Sequence, residues 1–342
     1  MQIHNVQIFR EGHFASGRIE FDETISGIFP EDESPAEGAA IDGKGGYLIP
    51  GLIDVHTHGA SGADASDGDA EGLVRMARHY AAQGVTSFCP TTMTLPEERL
   101  AKAVRCIRDF RRSKGCAKIA GIHLEGPFLN RDKCGAQNPD YIRTLDAEMF
   151  RRLQLESGGL VRLVTVAPET DGAADFIRDV ARECTVSLGH TAADYDTAMR
   201  AFEAGATHVT HLFNAMTPLS HRAPGIIAAA SDAGAYAELI CDTLHVFPPM
   251  MRLVHRLFDK KLVLISDSLR CAGMPDGEYE LGGQLVTMRD GRAFVKGTDT
   301  IAGSSIHLME GLRRTAASGI PLEDAVYAAT EAPARSIGMA DR

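Results

Sequence analysis

The chain has 342 residues, 44% of them hydrophobic and 24% charged, a composition that suits a globular protein with a large buried core. A formal net charge of −11 argues against a nucleic acid or an anionic membrane surface as partner, because both call for a basic footprint. Seven cysteines without a C-x-x-C pair speak for free thiols in a reducing compartment.

The first residues, "MQIHNVQIFREG", lack the basic start and apolar core of a signal peptide, and no apolar run approaches the length of a membrane span, so a cytoplasmic protein is expected. Residues 1–46 alternate apolar and polar positions in short runs such as "QIHNVQIF" and "ISGIFP", broken by Gly, Pro and acidic stretches. They predict a small β subdomain. From residue 47 to 342 short apolar runs alternate with amphipathic helical segments, the pattern of repeated βα units around a parallel sheet.

Eight strands are predicted, at 47–55, 85–91, 117–124, 161–167, 185–189, 207–212, 236–241 and 261–266. Between them lie helical patterns such as "EGLVRMARHYAAQG" and "DYDTAMRAFEAG", closed by Gly as a helix C-terminus commonly is. Eight strands followed by a final helical stretch predict an α/β protein of the (β/α)8 barrel class.

In such a barrel the chemistry sits at the C-terminal ends of the strands. The first strand ends in "DVHTHG", and strand alternation points His56 and His58 the same way. The third ends in "IHLEGP" with Glu125, the fifth in "SLGHT" with His190, the sixth in "VTHLFNAM" with His211 and the eighth in "LISDS" with Asp267. Nitrogen and oxygen ligands without thiolate suit a divalent ion such as Zn, Fe, Mn, Co or Ni, among which geometry and availability decide. Such an ion acidifies a bound water and polarises a carbonyl, and a nearby carboxylate can take and return the proton. Asp267 is the residue chosen for that role. His79, His255 and His307 fall on helical patterns and are expected to pack or face solvent. His123 shares strand parity with Glu125 and suits either support of a ligand or barrel packing.

The segments "PGLIDVHTHG", "HLEGPF", "SLGHT", "THLFNAM", "HRAPG", "DTLHV", "LISDSLRCAG" and "IAGS" occur in this order. From about residue 40 to 338 the chain thereby resembles the N-acetylglucosamine-6-phosphate deacetylases of the amidohydrolase superfamily. The resemblance implies that Glu125, His190 and His211 hold a principal divalent ion, and that His56 and His58, with Asp267, support a second. Some members carry Gln-x-Asn in place of the H-x-H pair and hold one ion; this chain keeps both histidines. The carboxylated lysine of other amidohydrolases is missing from this family, and the fourth strand, "VRLVTVAPE", has no Lys.

On the substrate side the resemblance implies Asn214 and Ala215 as phosphate and sugar contacts and Arg222 as the phosphate cation. An arginine fork suits phosphate oxygens, and in relatives the arginine can come from a neighbouring subunit, which implies a homodimer or higher homo-oligomer. Asp242 to His245 and Ile301, Ala302, Gly303 and Ser304 resemble segments that line the sugar pocket. Ala136 lies in a contact loop, and Gln137 stands where some members place a histidine that polarises the acetamide carbonyl.

The implied activity is hydrolysis of N-acetylglucosamine 6-phosphate to glucosamine 6-phosphate and acetate. Alternatives are a deacetylase acting on N-acetylgalactosamine 6-phosphate or another acylated amine, and a metal-stabilised barrel that binds a sugar phosphate without turning it over. Relatives complete a β-sandwich with strands that return after the barrel. The chain stops soon after "EAPARSIGM", so those strands are expected to be missing.

Overall fold

The computed structural model describes residues 1–31 and 38–340. Its centre is a parallel sheet of eight strands hydrogen-bonded in chain order. They are Leu52–Thr57, Val85–Thr92, Ile122–Glu125, Val161–Val166, Thr185–Leu188, His208–Val209, Tyr236–Ile240 and Leu262–Ile265, with a short piece, Lys118–Ile119, also pairing with the second.

The first and eighth strands close the ring at its C-terminal mouth. Asp267 N donates to His56 O at 3.0 Å and His58 N to Ser268 O at 2.9 Å. Below them the buried Asp54 carboxylate accepts from Ser266 Oγ at 2.5 Å, and burial pushes its pKa up to about 7. The seam therefore forces the two histidines of "HTH" and Asp267 onto one rim.

Helices wrap the ring because their apolar residues recur every three or four positions. Helix Ala70–Ala82 buries Leu73, Met76, Ala77 and Tyr80, and its start is held by Asp69, whose side chain accepts from Glu71 N. Asp146 and Asp194 cap helices Ala147–Glu156 and Tyr195–Ala204 in the same way, each worth about 1 kcal/mol.

Two features depart from the sequence reading. The first barrel strand was expected at 47–55, but Ala40–Leu48 runs parallel to Gln2–Arg10 in the amino-terminal sheet, and the barrel strand starts at Leu52. Pro50, with no N–H to give a ladder, lies in the break between them. That sheet has four strands, with Gln2–Arg10 between His13–Phe21 and Ala40–Leu48, and Ile25–Pro30 at the edge.

The second departure follows the eighth strand, where only helices were expected. Strands Gly277–Leu281, Gln284–Arg289 and Arg292–Val295 form an antiparallel meander before the last helices. It folds over the mouth: Leu281 lines the central cavity, and Gln284 Nε2 donates to Ala136 O at 2.6 Å. Arg270 fastens the start of this excursion, reaching Asp67 at 2.8 Å and Glu280 at 3.1 Å with 15% of its side chain exposed. Arg270→Met is expected to cost about 2–3 kcal/mol, because it leaves two partly desolvated carboxylates without their cation. Thermal or urea unfolding checks this, and a loss below about 0.5 kcal/mol would remove Arg270 from that role.

Among the described residues no helix is long and apolar enough to cross a membrane. All seven cysteines are free thiols.

Candidate metal-dependent active site

The six residues read from the strand ends meet at the barrel mouth. Glu125 is the last residue of the third strand, and its Oε1 lies 3.0 Å from both His190 Nε2 and His211 Nε2. Those two nitrogens are 3.1 Å apart. On the other side, Glu125 Oε2 lies 3.1 Å from His58 Nε2 and Oε1 lies 3.5 Å from His56 Nε2. Asp267 Oδ1 completes the ring, 3.4 Å from His58 Nε2 and 3.5 Å from His56 Nε2. All six are buried, the most accessible at 6%.

His190, His211 and Asp267 have φ of 48°, 27° and 49°. Non-glycine residues rarely adopt such values, which cost about 1–3 kcal/mol each and persist where surrounding structure over-determines them. Here the turn just past each strand bends the side chain back over the ring.

The tautomers follow from the outer nitrogens. His190 Nδ1 faces Lys133 O at 2.9 Å and His58 Nδ1 faces Thr91 O at 3.1 Å. A carbonyl only accepts, so each Nδ1 carries the hydrogen, and in the neutral ring Nε2 presents a lone pair to the cluster. Lone pairs packed this closely around carboxylates need a cation between them. The buried Nε2 of His56 has no hydrogen-bond partner, which adds to the same demand. Two groups at the mouth, Glu125–His190–His211 and His56–His58–Glu125, and a third below it, His56–His123–Glu238, each bring their ligand atoms within 4.8 Å of one another, the spacing a divalent ion spans. The donor set at the mouth therefore fits one or two ions, with Glu125 common to both groups there.

The electrostatics agree. Burial alone would raise the Glu125 and Asp267 carboxyls, but the His56 imidazole and its histidine neighbours override it and hold both below their usual range. Burial would lower His58, yet hydrogen bonds to Asp267 and Glu125 lift it to about 10. The two carboxylates draw positive charge to the mouth, which protonated histidine rings supply here and a divalent ion would supply in their place.

Beside the cluster opens a cavity of about 480 Å³. Of the residues implied for substrate, Ala136, Gln137, Asn214, Ala215, His245, Ile301 and Gly303 line it. Asp242 stands behind His245, accepting from its Nδ1 at 2.7 Å, and Ala302 and Ser304 are buried beside the lining. Arg222 is exposed and does not line the cavity. Gln137 donates to Glu125 Oε2 and accepts from Thr94 N at 2.7 Å, so it braces the central carboxylate. Gln137→Ala is expected to lower kcat about tenfold or more by loosening Glu125, and an unchanged kcat would show that the brace is dispensable.

Sequence reasoning missed two residues here. Among the described residues Lys133 is the single lysine or arginine on the cavity wall, and Glu238 lies beneath it bonded to His56. Lys133 ends the single 3-10 turn Arg131–Lys133 a few residues past "HLEGP", too short for any periodicity to mark it. His123 points into the barrel, its Nε2 2.8 Å from Thr165 Oγ1 and its ring 4.5 Å from that of His56. His79 lies on a helix, His255 pairs with Asp324 at 3.1 Å, and His307 caps the helix that follows it.

A (β/α)8 barrel with histidines, a glutamate and an aspartate converging on the strand ends defines a metal-dependent hydrolase, and residues 47–342 match the amidohydrolase family, to which the chain belongs. Within it the chain groups with the N-acetylglucosamine-6-phosphate deacetylases. It is 39% identical over 303 residues to that of Bacillus subtilis (strain 168), spanning 86% of this chain and 76% of the relative. To that of Homo sapiens it is 38% identical over 308 residues, spanning 86% and 75%. A mutant N-acetyl-D-glucosamine-6-phosphate deacetylase from Mycobacterium smegmatis, solved in complex with N-acetyl-D-glucosamine-6-phosphate, superposes with a TM-score of 0.94 at 32% identity, covering 99% of this chain and 90% of that one. An N-acetylgalactosamine-6-phosphate deacetylase of Escherichia coli O157:H7 is 36% identical over 296 residues, spanning 85% and 78%.

Proposed function

We propose that the chain hydrolyses the acetamide of N-acetylglucosamine 6-phosphate to glucosamine 6-phosphate and acetate. The observation that carries this reading is the cluster itself: Glu125, His190 and His211 around one point, with Asp267 on the opposite rim beside an open cavity. Glu125, His190 and His211 would hold a principal divalent ion and His56 and His58 a second; when bound, such ions acidify water and stabilise the charge that develops on the carbonyl oxygen. Asp267 takes the proton of the attacking water and delivers it to the leaving amine. Its carboxylate is suited to both steps because it faces the cavity while its backbone is pinned on both sides.

Gln137 keeps the Glu125 carboxylate in place; since it is not a histidine, a bound ion would supply more of the carbonyl polarisation. His245, Asn214, Ala215, Ile301 and Gly303 shape the sugar site. For the phosphate, Lys133 is the cation on the wall of this cavity, and Arg222 serves the cavity of a second copy, which makes the working unit a homo-oligomer. Lys133→Ala and Arg222→Ala are each expected to raise KM for the phosphorylated sugar about tenfold or more with a smaller change in kcat. An unchanged KM in either variant removes that residue from phosphate binding, and a monomer by light scattering removes Arg222. The protein is assigned to the cytoplasm.

The test of the reading is acetate release by the purified protein from N-acetylglucosamine 6-phosphate. Chelator-sensitive release, restored by Zn, Fe, Mn, Co or Ni, is the expected result, at a rate above that on the galactosamine epimer. Turnover of the epimer alone would move the assignment to that sugar, and binding without release would leave a sugar-phosphate-binding barrel.

A further inference from the structure

Under the mouth, in the closed interior of the barrel, lies a carboxylate that no step above uses. Glu238 is the middle residue of the seventh strand, Tyr236–Ile240, and is wholly buried. A carboxylate in such a place is costly unless it is paired and hydrogen-bonded. Its Oε2 meets His56 Nδ1 at 2.8 Å and accepts from His211 N at 3.1 Å. Its Oε1 has no hydrogen-bond partner, and His208 Nδ1 lies 3.8 Å from it.

One carboxylate thus touches one residue of each ligand group. An ionised carboxylate accepts and does not donate, so the bond to His56 places the ring hydrogen on Nδ1. That leaves Nε2 as the atom facing Glu125 Oε1 and Asp267 Oδ1, each at 3.5 Å. The bond to His211 N holds the residue whose φ is 27°, a backbone that would relax without a fixed partner.

We infer that Glu238 is a positioning residue: it fixes the His56 ring with Nε2 turned to the second ion and ties the strained His211 backbone to the same point, so that the two ion sites keep their spacing. This rests on the reading that the mouth holds divalent ions. A carboxylate that merely filled space would affect stability without touching the histidine's proton or its affinity for metal.

The test uses the full chain freed of metal and titrated with Zn²⁺ against a chromophoric chelator, together with nitrogen NMR of ¹⁵N-histidine-labelled protein loaded with zinc. Wild type is expected to take two zinc ions and to show His56 protonated at Nδ1 and ligated through Nε2. Glu238→Gln is expected to weaken the looser zinc site 10–100-fold. Glu238→Ala should do so at least as strongly and abolish the single His56 pattern, while cooperative melting persists. If the alanine variant does not fold, the glutamine variant decides. Zinc affinities within twofold of wild type with an unchanged His56 pattern would overturn the inference. One zinc ion with His56 unligated overturns it too and leaves the Glu125 site standing; no zinc in wild type overturns the metal reading as well.

Discussion

Asp267→Asn is expected to lower kcat by about 10²–10⁴ while the principal ion stays bound. The substitution keeps the size and shape of the side chain and removes its ability to accept a proton. The backbone around it is held regardless: Asp267 N donates to His56 O at 3.0 Å and Ser304 N donates to Asp267 O at 2.7 Å. A fall in turnover could not then be blamed on a displaced loop. The Glu125–His190–His211 group does not include Asp267, so metal content at that site should hold. The measurements are steady-state rates on N-acetylglucosamine 6-phosphate and metal analysis of the same sample. A kcat within threefold of wild type would sink the acid–base role, and loss of all metal would recast Asp267 as a primary ligand.

Removing the ion, or the carboxylate shared by both ligand groups, should have the broadest effect. Full chelation is expected to abolish acetate release and to cost stability. Protein kept at a metal concentration 100 times the dissociation constant should be about 2.7 kcal/mol more stable than the chelated form, a difference of several degrees in Tm. Glu125→Gln is expected to do the same without chelator. Glu125 Oε1 lies between the His190 and His211 nitrogens and Oε2 reaches His58, so the neutral amide weakens both sites together. Its metal content should fall below half that of wild type, with activity near the detection limit. A variant that keeps its metal and a tenth or more of its turnover would show that the histidines alone suffice.

Much of this site is legible in the amino-acid sequence, and the reason is local. A barrel strand is a short apolar run, and the residue that ends it stands at the mouth whatever the rest of the chain does. His56, His58, Glu125, His190, His211 and Asp267 each stand at or just past the end of such a run, so their convergence needed only the count of eight strands. The helices were legible through their amphipathic patterns and the Gly that closes several of them.

Other features carry no local mark. The run "YLIPGLIDV" reads as one strand, and only the pairing of Ala40–Leu48 with Gln2–Arg10 assigns Tyr47 and Leu48 to the amino-terminal sheet. The meander of Gly277–Val295 lies where a final helical stretch is expected, and only the pairing of its strands shows otherwise.

The barrel class and the places of the candidate ligands at the strand ends are legible in the chain, since those depend on neighbours a few residues away. Only the tertiary structure decided that Glu238, in the unremarkable run "YAELI", meets a histidine 182 residues earlier in the chain, that Lys133 rather than Arg222 lines the cavity, and that His190, His211 and Asp267 bend back in left-handed turns. Closing the ring costs conformational entropy that no short segment can reveal, and the contacts it creates join residues whose separation along the chain hides them from one another.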